Sequence, residues 1–428
     1  MNTSQSFLQV FQSRKMVALL LLGFASGLPL FLTSRTLQAW MTVEGVDLAQ
    51  VGAISLVALP YSLKFLWSPF LDRFVPPFLG RRRGWLVITQ IALALAIAAM
   101  AVQRPAQALQ LFAINAVAIA FLSATQDIAF DAYRTDVLQP RELGAGAAVA
   151  VLGYRVALLV TGSLALILAD RLPWPTIYLG MAGLMLLCIL PSFFAPEPEI
   201  AVRPPATFAD AVKLPFIEFF QRKGVAQGFL ILVFIVLYKL GDALVNNMVT
   251  PFLLQTGFTQ GDIGKIQGGM GLIATIVGAL AGGALLSQWG VNRSLWIFGG
   301  LQAISNLAYF LLAQAGQNYP MMVVAINIEN FCGGLGTAAF VAFLMSLCNQ
   351  RFSATQYALL SSLMAVSRDI LVAPAGGIAD RLGWPLFFLL TIAAALPGLL
   401  LLPIFAPWNV QPAALPRPGL EEDAPPER

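Results

Sequence analysis

Long apolar runs separated by short polar stretches dominate the chain, and the runs have the length of membrane-crossing helices. A helix needs about 20 residues to cross the hydrocarbon core. Twelve runs meet that length, at about 16–38, 50–70, 85–103, 108–130, 145–168, 174–195, 226–254, 262–287, 294–314, 320–347, 355–378 and 385–406. The longest polar connection, 196–225, opens Ala195-Pro196-Glu197-Pro198 and sets Phe208, Ala211, Val212, Phe216 and Phe219 among charges. That spacing predicts a helix lying on the membrane surface. Phe7, Val10 and Phe11, ahead of Arg14 and Lys15, predict a second one. The first run continues past Gly27 without a small-residue cleavage site, so it reads as a span and not a removable signal. The expected order is a surface segment (1–15), six helices (16–195), a linker (196–225), six helices (226–406) and a disordered tail (407–428).

Composition agrees. Of 428 residues, 58% are hydrophobic and 11% charged, against about 25% charged in soluble domains. Mean hydropathy is +0.78. No large soluble domain fits beside the spans. The net charge of +4 sits at span ends, which points to topology and not to nucleic acid. With the N terminus inside, sixteen Lys and Arg fall on the cytoplasmic side and five at the outer side or outer span ends. Both termini are therefore expected in the cytoplasm. Histidine is absent, so neither a histidine-ligated metal nor a histidine proton relay can form. Cys188, Cys332 and Cys348 lie in apolar segments and are expected as free thiols. No nucleophile constellation, metal cluster or nucleotide loop is evident in the sequence, so the chain reads as a non-enzyme without cofactor; a monomer is expected.

An internal repeat supports the count. Ala169-Asp170-Arg171-Leu172-Pro173-Trp174-Pro175 recurs as Ala379-Asp380-Arg381-Leu382-Gly383-Trp384-Pro385, both joining a fifth span to a sixth. Same-direction repeats of six spans mark a transporter built from two parallel-related halves. The expected fold is all-α, twelve transmembrane helices in two pseudo-symmetric six-helix halves. Asp72-Arg73 followed by Gly80-Arg81-Arg82-Arg83-Gly84 resembles the cytoplasmic loop signature of the major facilitator superfamily, where such charges lock an inner gate.

Ionisable groups deep in a bilayer cost at least ~2.5–3.5 kcal/mol and demand a partner or a task. Lys64, Asp127, Arg155, Lys239, Asp242, Glu329, Arg368 and Asp369 are the candidates. Lys239, Asp242 and Asn246 share one helical face, beside Gly241. They form either a functional set or a self-satisfied pair with a neighbour. Arg155 and Arg368 lie near equivalent points of the two fifth spans, placed to hold carboxylate or phosphate. Asp127 is a cavity carboxylate or a proton site. Asp131, Arg134 and Asp136 lie near the cytoplasmic end, where a gate salt bridge competes with a proton role. Gln126, Asn246 and Asn330 offer amides, and Lys64 reaches either substrate or the cytoplasmic surface.

Several strings are similar to the AmpG-type muropeptide permeases. They include Thr36-Leu37-Gln38-Ala39-Trp40, Lys64-Phe65-Leu66-Trp67-Ser68-Pro69, Gln126-Asp127-Ile128, Val151-Leu152-Gly153-Tyr154-Arg155, Tyr238-Lys239-Leu240-Gly241-Asp242-Ala243 and Phe352-Ser353-Ala354-Thr355-Gln356. The resemblance runs from about residue 16 to 405. It implies a proton-driven importer in the bacterial inner membrane, carrying N-acetylglucosaminyl-1,6-anhydro-N-acetylmuramic acid with or without stem peptide. Gln126, Arg155, Lys239, Asn246, Asn330, Arg368 and Lys64 would then contact substrate, and Asp127, Asp242 and Glu329 would carry protons. Asp72, Arg73, Arg81, Arg82, Arg83, Asp131, Arg134 and Asp136 would form the gate. Arg35 and Asp369 depart from the family pattern, as does a polar tail where many members have two more helices. A major facilitator carrier of another anionic solute, acyl-CoA-like or a peptide-sugar, is the alternative.

Overall fold

The computed structural model describes residues 13–46, 50, 54–197, 205–366 and 370–408, which contain helices and no strand. The expected surface segment before Ser13, Arg203, Arg368, Asp369 and the tail beyond Trp408 lie outside the described residues. Among the described residues twelve helical legs cross the bundle, and nine helices are long and apolar enough to span a membrane by length and composition. One of them, Gly261–Ala315, is two legs joined at Gly290, whose φ of 79° interrupts the helix. Span 2 (54–73) is broken into short α and 3-10 pieces, because Pro60 and Pro69 each start a new one. Span 11 consists of Ser353–Val366 and Ala375–Leu382.

The seven-residue repeat is the visible part of a register that runs through both halves. Span 4 is Leu109–Val137 and span 10 is Tyr319–Leu347, each of 29 residues and 210 apart. Spans 5 and 11 begin at Leu143 and Ser353, and spans 6 and 12 at Trp174 and Trp384, with the same offset. Gly80 (φ 76°) and Gly290 (φ 79°) open spans 3 and 9, again 210 apart. Both need the left-handed conformation that glycine adopts without a Cβ clash.

An even number of legs brings Arg14 and Trp408 to one face of the bundle, here the proximal face. At the opposite, distal face each half has its own core. Leu28, Trp40, Phe112 and Tyr178 pack in the first half, and Phe252, Tyr309, Ile326 and Phe388 in the second. At the proximal face a single core draws on both halves, with Leu19 and Tyr133 joining Leu286, Phe340 and Tyr357. Small residues permit that closure. A Cβ added at Gly283 in span 8 would stand 2.6 Å from the Gly144 carbonyl oxygen in span 5. The halves are fused below and separate above.

The connection between the halves contains the linker helix, Phe208–Lys223. Its start is fixed by a capping box, in which the Asp210 backbone N–H donates to the Thr207 hydroxyl and the Thr207 N–H donates to the Asp210 carboxylate. Phe208, Val212 and Phe216 are exposed along one face while Ala211 and Phe219 are buried.

Candidate functional site

Span 7 carries the first cluster because its helix breaks there. Val225–Tyr238 ends at Lys239, and a new helix runs Leu240–Gln255. The break leaves Lys239 Nζ 2.8 Å from Asp242 Oδ2 and 5.9 Å from the centre of the Phe340 ring. Asn246, one turn on, donates to the Asp242 carbonyl at 2.8 Å and lies 3.5 Å from Glu329 Oε1 on span 10. Glu329 is buried. Among the described residues its hydrogen-bond partner is this one amide, whereas Asp242 has a full cation. Asn330 takes a different position: it accepts from Thr275 at 3.0 Å and donates to the Ile326 carbonyl, tying span 8 to span 10. Gln302 was not anticipated. It is buried beside Lys239 and Asp242, with both amide atoms unpartnered among the described residues. Its polar character in an apolar ninth span was the signal available for it.

The first half holds a longer chain of charges. Lys64 Nζ lies 3.1 Å from Asp131 Oδ2, and Arg134 lies 2.8 Å from Asp131 Oδ1. Arg134 then donates across the half boundary to the Tyr357 hydroxyl, with its guanidinium 4.9 Å above the Tyr357 ring. Asp127 stands one turn away and accepts from the Ser26 hydroxyl of span 1. Asp131 is thus neutralised twice and, among the described residues, Asp127 has a single hydroxyl. Arg155 is partly buried on span 5, and Gln126 is fully buried with its amide unpartnered among the described residues. A separate groove of about 600 Å³ between spans 2 and 4 is apolar, lined by Leu63, Trp67, Val117 and Phe121 among others. It holds none of this chemistry.

Of the residues expected at a gate, Asp72, Arg81, Arg82 and Asp136 meet at the proximal face. Asp72 is fully buried, with Arg81 at 2.8 Å and Arg82 at 3.0 Å from one oxygen. Its other oxygen accepts from the backbone N–H of Thr355 at 2.8 Å and from the Thr355 hydroxyl at 2.7 Å. Thr355 lies in the first turn of span 11, where unpaired N–H groups and the helix dipole favour a carboxylate. Arg82 also pairs with Asp136 at 2.7 Å and donates to Ser353 Oγ at 2.6 Å. Arg81 reaches the Arg351 carbonyl at 2.8 Å. All four charged partners, Asp72, Arg81, Arg82 and Asp136, come from the first half, and the receiving turn comes from the second. Arg83 turns aside to Glu197 at 2.7 Å and to the Phe193 and Ala195 carbonyls. Burial pushes the Glu197 carboxyl above the usual carboxylate range, more than Arg83 draws it down. Arg73 lies over the Phe74 ring. Ser353, Thr355 and Tyr357 take part in these contacts, and charge patterns alone do not single them out.

Comparison with known proteins gives the context. Residues 19–371 match the Major Facilitator Superfamily. The anhydromuropeptide permease of Escherichia coli (strain K12) is 52% identical over 401 residues, covering 93% of this chain and 81% of that protein. An uncharacterized protein of Haemophilus influenzae is 40% identical, covering 93% of this chain and 96% of its own. The putative transporter AmpG 4 of Rickettsia conorii is 34% identical over 92% of this chain and 97% of its own. Among solved structures, the human organic anion transporter MFSD10 aligns with a TM-score of 0.68 at 17% identity, over 93% of this chain and all of that one (100%). The transporter FucP in its outward conformation gives 0.68 at 14% identity, over 91% and 98%. At these identities the two structures speak to the fold alone.

Proposed function

This chain belongs to the Major Facilitator Superfamily and, within it, to the AmpG-type permeases, and from that premise we propose that it imports anhydro-muropeptides by proton-coupled alternating access. The cargo is N-acetylglucosaminyl-1,6-anhydro-N-acetylmuramic acid with or without stem peptide, moved from periplasm to cytoplasm for cell-wall recycling. The observation that carries the reading is the 52% identity over 93% of the chain to a protein named for that cargo. The positive-inside bias assigns the proximal face, with both termini, to the cytoplasm. On that assignment the sealed face is cytoplasmic and the separated distal cores face the periplasm.

The residues divide the work. Arg155 offers a guanidinium to a stem-peptide carboxylate, and Lys239 and Lys64 add positive charge on either side. Asn246, on the exposed side of span 7, suits hydroxyl and N-acetyl groups. Asp127 and Glu329, each held by one neutral partner, are the groups that take up and release protons. Asp242 stays with Lys239 until substrate or a proton separates them. The lipid bilayer and protons are then the partners, and a monomer suffices.

Uptake of labelled anhydro-disaccharide into proteoliposomes, with and without an imposed proton gradient, tests this. Accumulation above the external concentration is expected with the gradient and equilibration without it. Accumulation independent of the gradient removes the proton role. A panel containing acyl-CoA and other anionic solutes, with one of those taken up in place of the muropeptide, removes the cargo.

A further inference from the structure

Gln356 follows directly on the residue that holds Asp72, and the linker helix grips it from the other side. Its side-chain amide donates to Glu218 Oε2 at 2.7 Å and to the Pro215 carbonyl at 3.0 Å. Its carbonyl oxygen accepts from the Asn349 N–H at 2.7 Å, and the Asn349 side chain donates to Glu218 Oε1 at 3.1 Å. Arg222 lies 3.0 Å from Glu218 and donates to the Leu347 carbonyl. Both oxygens of Glu218 are thus spent on the end of span 10 and the first turn of span 11. The same helix packs against the end of span 2 (68–73), which carries Asp72. Its exposed Phe208, Val212 and Phe216 keep it in the plane of the membrane surface.

A carboxylate seated on a helix turn holds only while that turn keeps its place. Asp72 receives two of its four hydrogen bonds from Thr355, so a shift of the turn loosens the seal from the second half. We propose that Glu218 is a positioning residue for the cytoplasmic gate: through Gln356 and Asn349 the linker helix fixes the span 11 turn that receives Asp72. The linker is then a brace whose loss biases the carrier toward opening inward. This rests on the alternating-access reading but is independent of which cargo is carried.

Thiol accessibility tests it without any cargo. Cys348, buried next to Asn349, reports on the cytoplasmic side in a Cys188→Ala, Cys332→Ala background. Thr250→Cys, on the exposed face of span 7 one turn beyond Asn246, reports on the outer side in an otherwise cysteine-free chain. With Glu218→Ala, labelling of Cys348 is expected to rise about fivefold, the shift that losing one such hydrogen bond makes to a two-state balance. Labelling at Thr250→Cys should fall in step. Glu218→Gln, which keeps one acceptor oxygen for Gln356, should lie between wild type and Glu218→Ala. Unchanged labelling at both sites overturns the proposal. A rise at Cys348 with no fall at Thr250→Cys also overturns it, because the helix then merely covers the thiol. If Glu218→Ala does not insert, Gln356→Leu breaks the Glu218–Gln356 link from the other partner, together with the Gln356 bonds to Pro215 and Asn349, and is read by the same two criteria.

Discussion

Asp127 and Glu329 occupy equivalent helices at different heights. Span 10 repeats span 4 with an offset of 210, so Glu329 corresponds to position 119, eight residues before Asp127. At 1.5 Å per residue that is about 12 Å along the helix axis. Among the described residues each has one neutral hydrogen-bonding partner, Ser26 for Asp127 and Asn246 for Glu329. In contrast, Asp131 and Asp242 are locked to cations at 2.8 Å.

A carboxylate without a cationic partner can change protonation without stranding a charge. Asp127→Asn and Glu329→Gln are therefore each expected to lose gradient-driven accumulation while keeping exchange of cargo across the membrane. Counterflow in proteoliposomes measures the second property. Uphill accumulation by either variant at the wild-type level assigns coupling to the other carboxylate.

Lys239 and Asp242 behave as a unit. Removing one leaves the other an uncompensated charge in a part-buried cavity, at a cost of about 3–5 kcal/mol where a pair is fully buried and less here. Thermal melting should rank Lys239→Gln and Asp242→Asn below wild type, with the double variant above both. A double variant no more stable than its parents shows that the two side chains do not depend on each other.

Arg155→Ala should weaken binding of peptide-bearing cargo by about 1.5–3 kcal/mol, the worth of a charged hydrogen bond. The loss should be smaller for the peptide-free disaccharide, which lacks the stem carboxylates. Equal losses for the two cargoes place Arg155 against the sugar.

Asp72→Asn keeps the size of the side chain and removes the charge that faces Arg81, Arg82 and the span 11 turn. Leaving two guanidinium groups facing a neutral amide should open the seal at the proximal face, raising Cys348 labelling. Thr355→Val, which removes the hydroxyl and keeps the backbone N–H, should give a smaller rise in the same direction.

Glu197 offers a pH test away from the membrane core. Its carboxyl titrates above the usual range because burial opposes its charge. The stability it supplies is full below the unfolded value of about 4.3 and is lost as pH rises through the higher folded value. Glu197→Gln, neutral at every pH, should therefore melt above wild type at pH 7, with the gap closing on acidification. A gap that widens at low pH contradicts the direction of the shift.

The sequence by itself determined the all-helical fold and the two-half repeat, and it marked several of the polar residues set within the apolar helices. Those features follow from local rules: apolar run length, the repeated fifth-to-sixth loop and the cost of charge in hydrocarbon. Even the 210-residue register was present in Ala169–Pro175 and Ala379–Pro385, and structure extended it to the glycines at 80 and 290. Only tertiary structure decided which partner each charge takes. Asp72, read as one member of a loop signature, is held by a turn almost three hundred positions away, and Arg134 ends on Tyr357. Nothing in spacing along one helix encodes such contacts, because they exist only where two halves meet and are made by Ser, Thr, Tyr and backbone groups that no charge pattern marks. The same reason explains why Asp127 and Asp131, one turn apart and alike in sequence, differ in the structure: Lys64 from another span forms its ion pair with the second.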